Sequence, residues 1–73
     1  MKVRVRLDTL SDIAAFVLAV SSVKSKVYLT NDENLRVDGK SFLGVAHAHE
    51  FDKLWCECED DIYSKISSFI PAE

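Results

Sequence analysis

Few side chains in this 73-residue chain have the type and spacing that chemistry needs. Cys56 and Cys58 stand two apart, which on a strand turns both thiols to the same face. Neighbours on one strand rarely have disulfide geometry, and a metal site needs more ligands than two, so they read as small buried apolar residues. His47 and His49 are the two histidines, and with Glu50 or Asp52 a His-x-His pair can converge on a metal in a loop. Two histidines alone specify no metal, and exposed loop histidines is the reading they support. Glu57, Glu59, Asp60 and Asp61 crowd together, but as a solvated strand end and the start of a helix they need no acid–base role. There is no glycine-rich phosphate loop and no nucleophile–base pair at a recognisable spacing. The expectation is a protein that is not an enzyme and holds no metal or cofactor.

The elements that would position these residues follow from periodicity. Lys2 to Leu7 alternates basic and apolar residues and predicts a strand with Val3, Val5 and Leu7 facing a core. Leu10, Ile13, Ala14, Val17 and Val20 recur at helical spacing, widened by Phe16 and Val23, which predicts a helix from Leu10 to Val23. Thr9 or Ser11 supplies its N-cap. Lys26 to Thr30 and Leu35 to Val37 read as two arms of a hairpin, with Asn31 to Asn34 as its turn and Asp38-Gly39 breaking the second arm. Lys40 to Val45 allows at most a short helix, Ala46 to Asp52 reads as a loop, and Lys53 to Cys58 as a fourth strand. Glu59-Asp60-Asp61 opens a last helix carrying Ile62, Ile66, Phe69 and Ile70, which Pro71 ends. Antiparallel pairing with the helices on one face would bury Val3, Val5, Leu7, Val27, Leu29 and Leu54, and leave Lys2, Arg4, Arg6 and Tyr28 to solvent. Trp55 falls on the strand face opposite the cysteines, either exposed as an interaction anchor or partly covered by a neighbour.

Bulk properties bound the function classes. A chain this short forms one domain, residues 1–73, and buries only about 60% of its unfolded surface. With 48% hydrophobic and 29% charged residues it is neither disordered nor membrane-spanning, the longest apolar run being Ile13 to Val20. The valines alternating with Lys2, Arg4 and Arg6 do not make a signal peptide, so cytoplasmic residence with reduced thiols is expected. A net charge of −3, with nine basic residues scattered along the chain, argues against nucleic acid as a partner.

The element order β-α-β-β-α-β-α resembles the HPr family of the bacterial sugar phosphotransferase system. Two segments carry the resemblance. Ala15 to Leu29 runs from a helix of small and apolar residues through Ser22 to Ser25 into a Val-x-Leu strand. Val37-Asp38-Gly39-Lys40-Ser41-Phe42-Leu43-Gly44-Val45 is similar to the family's strand, turn and short helix around a regulatory serine, usually Ser-Ile-Met-Gly-Val. The resemblance covers most of the chain and implies an open-faced β-sandwich, a four-stranded antiparallel sheet with three helices on one face. It implies that Ser41 is a candidate for regulatory phosphorylation, against the plainer reading of a helix cap. It also implies that Phe42 and Leu43 are a candidate docking pair; the sequence alone is equally compatible with their burial.

The sequence departs from the family where phosphate is carried. In place of the Gly-x-His-x-Arg-Pro run, ungapped alignment back from Ser25-Lys26-Val27 puts Thr9 at the histidine, Ser11 at the arginine and Asp12 at the proline. A second departure, a deletion of several residues between the fourth strand and the last helix, leaves the fold intact. A phosphohistidine carrier needs an imidazole nucleophile beside helix amides and a guanidinium. Thr9 offers only an aliphatic hydroxyl, and Asp8 and Asp12 repel an incoming phosphate. The expected function is a regulatory or protein-interaction module with a protein partner, as a monomer or weak homo-oligomer built on a sheet edge. The competing expectation is a phosphocarrier using another acceptor, such as Thr9, His47 or His49.

Overall fold

A computed structural model describes residues 1–31, 35–48, 50 and 53–72. Along the chain these form β1 (Lys2–Val5), α1 (Leu10–Ser21), β2 (Val27–Thr30), β3 (Arg36–Asp38), α2 (Phe42–Ala48), β4 (Leu54–Cys58) and α3 (Tyr63–Ile66), closed by a 3₁₀ turn at Ser67–Phe69. The architecture is α+β. The four strands make one open sheet in the order β1-β4-β2-β3, and every neighbouring pair is antiparallel.

Strand alternation sorts the side chains into two faces. Val3 and Val5 of β1 stand opposite Cys56 and Leu54 of β4, Leu29 stands opposite both Cys56 and Val37, and Val27 opposite Cys58. This face meets Ile13, Phe16 and Val20 of α1, Val45 and Ala48 of α2, and Ile66 of α3 in one core. Of the expected core residues, Val5, Leu7, Val27, Leu29 and Leu54 are buried, and Val3 is half-buried.

Some elements differ from their predicted form. The stripe of α1 turned to the core is Ile13, Phe16 and Val20, buried, with Val17 half-buried beside them, whereas Leu10 and Ala14, expected within it, are exposed. Spacings of three, four and seven residues from Ile13 fill the contact with the sheet, and the residues a turn away on either side face outward. Helix α2 runs through Ala46 to Ala48, where a loop was expected. Ser41 starts it, and burial of Val45 and Ala48 stabilises a segment too short to show a period. The last helix begins at Tyr63 and not at the acidic triplet. Asp61 there accepts from the Tyr63 amide at 3.0 Å, and Asp60 accepts from the Ser25 hydroxyl. After a single turn the chain tightens into the 3₁₀ segment, which sets the Phe69 ring edge-on to Phe16 at 5.4 Å and 77°. Asp38 continues β3 instead of breaking it. Of the expected hairpin turn, Asp32, Glu33 and Asn34 lie outside the described residues.

Candidate functional site

The position that the resemblance aligned with a phosphohistidine starts α1. Thr9 is extended, and its Oγ1 accepts from the Asp12 amide at 3.1 Å. Asp12 Oδ2 in turn accepts from the amides of Thr9 at 3.1 Å and Asp8 at 2.9 Å. This is a reciprocal capping box, and of the two candidate caps the structure uses Thr9. The two backbone hydrogen bonds hold the Asp12 carboxyl below its ordinary value of 3.8, which keeps the charge in place. Ser11, which the resemblance aligned with an arginine, is exposed and brings no cation. The nearby cation is Arg6, whose Nε is 3.0 Å from Asp8 Oδ1. A shallow depression of about 460 Å³ lies here, lined by Arg6, Asp8, Asp12, Phe69 and Pro71 among others. Amides and guanidinium that could receive a phosphate are thus turned to the chain's own carboxylates.

The second segment that carried the resemblance starts α2. The Ser41 amide donates to the Asp38 carbonyl at 3.0 Å, its carbonyl accepts from Val45 at 2.9 Å, and its Oγ accepts from the Gly44 amide at 3.2 Å. Ser41 therefore caps the helix and is half-buried. Phe42 and Leu43, which follow it, are 44% and 81% exposed. The alternative left open by the sequence is resolved toward the surface. Helix α2 packs against α1, where Leu10 and Leu18 are also exposed.

The remaining candidates separate. Cys56 and Cys58 are free, buried and on one face of β4, as their spacing implied. Desolvation, with the Cys58 and Glu57 charges adding to it, pushes the Cys56 thiol up to about 12, so it is no nucleophile. His47 lies in the last turn of α2 and not in a loop, and His49 and Asp52 lie outside the described residues. Among the described residues no three His, Cys, Asp or Glu side chains gather as a metal site would require. No helix among them is long and apolar enough to cross a membrane.

One feature escaped sequence reasoning. On the open side of the sheet, a depression of about 620 Å³ is lined by Lys24, Ser25, Lys26, Tyr28, Arg36 and Glu57, with Met1, Cys58 and Glu59 completing it. The Arg36 guanidinium sits 4.0 Å from the centroid of the Tyr28 ring, and Lys2 Nζ lies 5.8 Å from that of Trp55. No local signal could have found this grouping, because it depends on which strands are neighbours. No family model, curated protein or solved structure matches this chain.

Proposed function

We propose that the chain is an HPr-like domain that does not carry phosphate and acts as a regulatory or protein-interaction module related to the sugar phosphotransferase system. The observation that carries this reading is the exposure of Phe42 and Leu43 at the first turn of α2, beside a serine in the family's regulatory position. Large apolar side chains that the core does not use are what a protein partner desolvates on docking. The strand order, the open sheet and the helices on one side of it are compatible with the HPr fold. Absence of the carrier histidine, together with a capping box whose amides are already engaged, speaks against transfer. Modification of Ser41 would add about two negative charges beside Phe42 and Leu43, which gives docking a regulator.

The test is direct. Incubation with enzyme I and phosphoenolpyruvate should leave the intact mass unchanged, and an acid-labile phosphoryl adduct would overturn the reading. NMR titration with enzyme I, or with a regulatory protein that recognises HPr, should shift amides around Leu10, Phe42 and Leu43. A Phe42→Asp, Leu43→Asp double variant should keep the fold and lose those shifts. Treatment with the family's serine kinase should label the native chain but not Ser41→Ala.

A further inference from the structure

The open face of the sheet gathers what the sequence scatters. Lys2 and Arg4 of β1, Tyr28 and Thr30 of β2, Arg36 and Asp38 of β3, and Trp55 and Glu57 of β4 share it by alternation and register. Lys24, Lys26 and Glu59 join them at the rim of the depression. Five cations thus stand with three carboxylates on this side, while the rest of the chain has four cations and nine carboxylates. A chain of net charge −3 therefore has one positively biased face.

The aromatic residues are placed to match. Tyr28 and Trp55 belong to the two central strands, β2 and β4, and are diagonal neighbours, since Tyr28 pairs with Glu57 and Trp55 with Thr30. Diagonal neighbours lie about 7–8 Å apart. Both are half-buried, and each has a cation near its ring: Arg36 at Tyr28 and Lys2 at Trp55. Both cations lie over the ring faces, so an incoming base stacks on the Arg36 guanidinium that covers Tyr28 and displaces from Trp55 the Lys2 side chain, which is also 3.6 Å from Glu57 Oε2. The Arg36 guanidinium is itself a planar surface on which a base can stack.

We propose that this face binds single-stranded nucleic acid across β2 and β4, with bases on the Arg36–Tyr28 stack and on Trp55 and phosphates on Lys24, Lys26 and Arg4. An acidic polypeptide would use the cations but has no need of two aromatics on the central strands, so the nucleic acid is the occupant that both observations favour. The proposal does not rest on the docking reading of Phe42 and Leu43, which belong to the helical layer behind the sheet. It replaces the expectation drawn from bulk charge, because the register and not the net charge decides which field a ligand meets.

Trp55 is the single tryptophan, so its fluorescence reports occupancy without a label. Titration at low salt with a short mixed-sequence DNA or RNA oligonucleotide should quench it, with single strands binding at least tenfold tighter than the matching duplex. Binding should weaken steeply as salt rises, with a log–log slope of about −0.7 per phosphate engaged. Tyr28→Ala should weaken binding about tenfold, as loss of one stacked base does. Lys24→Glu with Lys26→Glu changes exposed or rim side chains, leaves folding intact by circular dichroism, and should also weaken binding at least tenfold. Absence of quenching and of any anisotropy change at 100-micromolar-range protein (~0.1 mM, set against the non-specific affinities usual for such contacts) would overturn the proposal. So would a folded double-lysine variant that binds like the native chain. Equal affinity for poly-glutamate, unaffected by Tyr28→Ala, would assign the face to an acidic protein instead.

Discussion

Asp12 is held by its amides before it is held by anything else. The carboxylate accepts from Asp8 and Thr9, so its folded-state value lies below the ordinary 3.8. A depressed carboxyl contributes stability that is fully present above its unfolded value and is lost as pH falls through the folded one. The denaturant midpoint should therefore decline as pH drops below about 4, and Asp12→Asn should flatten part of that decline. A pH profile identical in both proteins would show that the capping box does not hold in solution. The companion change, Thr9→Ala, removes the hydroxyl cap and should cost about 1 kcal/mol at neutral pH, where Asp12 is charged. Cys56 behaves in the opposite sense. Burial raises its thiol to about 12, so iodoacetamide should leave it unmodified in the native protein and react with both cysteines once guanidinium unfolds the chain. Native-state labelling of Cys56 at the unfolded rate would contradict its position in the core.

At the scale of elements, the turn from β3 into α2 depends on two glycines with different constraints. A Cβ built on Gly39 meets Val27 Cγ1 at 3.0 Å and the Val27 carbonyl oxygen at 3.1 Å, and Val27 is 1% exposed with nowhere to move. Gly39→Ala should destabilise by about 1–3 kcal/mol, as other overpacked sites do. At Gly44 the nearest atom is the Asp38 carbonyl oxygen at 3.3 Å, a smaller intrusion set against the roughly 1 kcal/mol that alanine contributes to a helix over glycine. Gly44→Ala should thus lie within about 1 kcal/mol of native in a urea titration, and the order Gly39 worse than Gly44 is the firm expectation. This turn also shows what could be read in advance. The alternation in Lys2 to Leu7 and in Leu54 to Cys58, and the stripe through Ile13, Phe16 and Val20, are local patterns, and the sheet and α1 were legible from them. The extent of α2 was not, because Ala48 is helical on account of what covers it. The single turn of α3 was equally hidden, since Ile62, Ile66, Phe69 and Ile70 keep a helical spacing even though the chain tightens at Ser67. Exposure of Phe42 and Leu43 depends on the angle at which α2 meets β3, and the sequence left it open.

For the whole molecule, the sheet divides two surfaces: exposed apolar side chains on the helical layer and cations with aromatics on the open face. What holds both in place is a small core, and the chain is too short to spread a loss across it. A domain of 73 residues has a total stability of about 4–11 kcal/mol at the usual ~0.05–0.15 kcal/mol per residue. Phe16 is fully buried in the centre of α1 and meets Phe69 edge-on, linking the first helix to the closing turn. Its truncation to alanine removes both the transfer free energy of the ring and the contact, about 3–5 kcal/mol. Phe16→Ala should therefore remove about a quarter or more of the total stability and leave a visible unfolded population in mild urea at room temperature. Leu43 is nearly as large, yet at 81% exposure it gives the core almost nothing, and Leu43→Ala should stay within about 0.5 kcal/mol of native. Equilibrium unfolding of the two variants side by side separates a side chain kept for the fold from one kept for a surface. If Leu43→Ala proved as costly as Phe16→Ala, Leu43 would belong to the core, and the docking surface proposed on α2 would lose its centre.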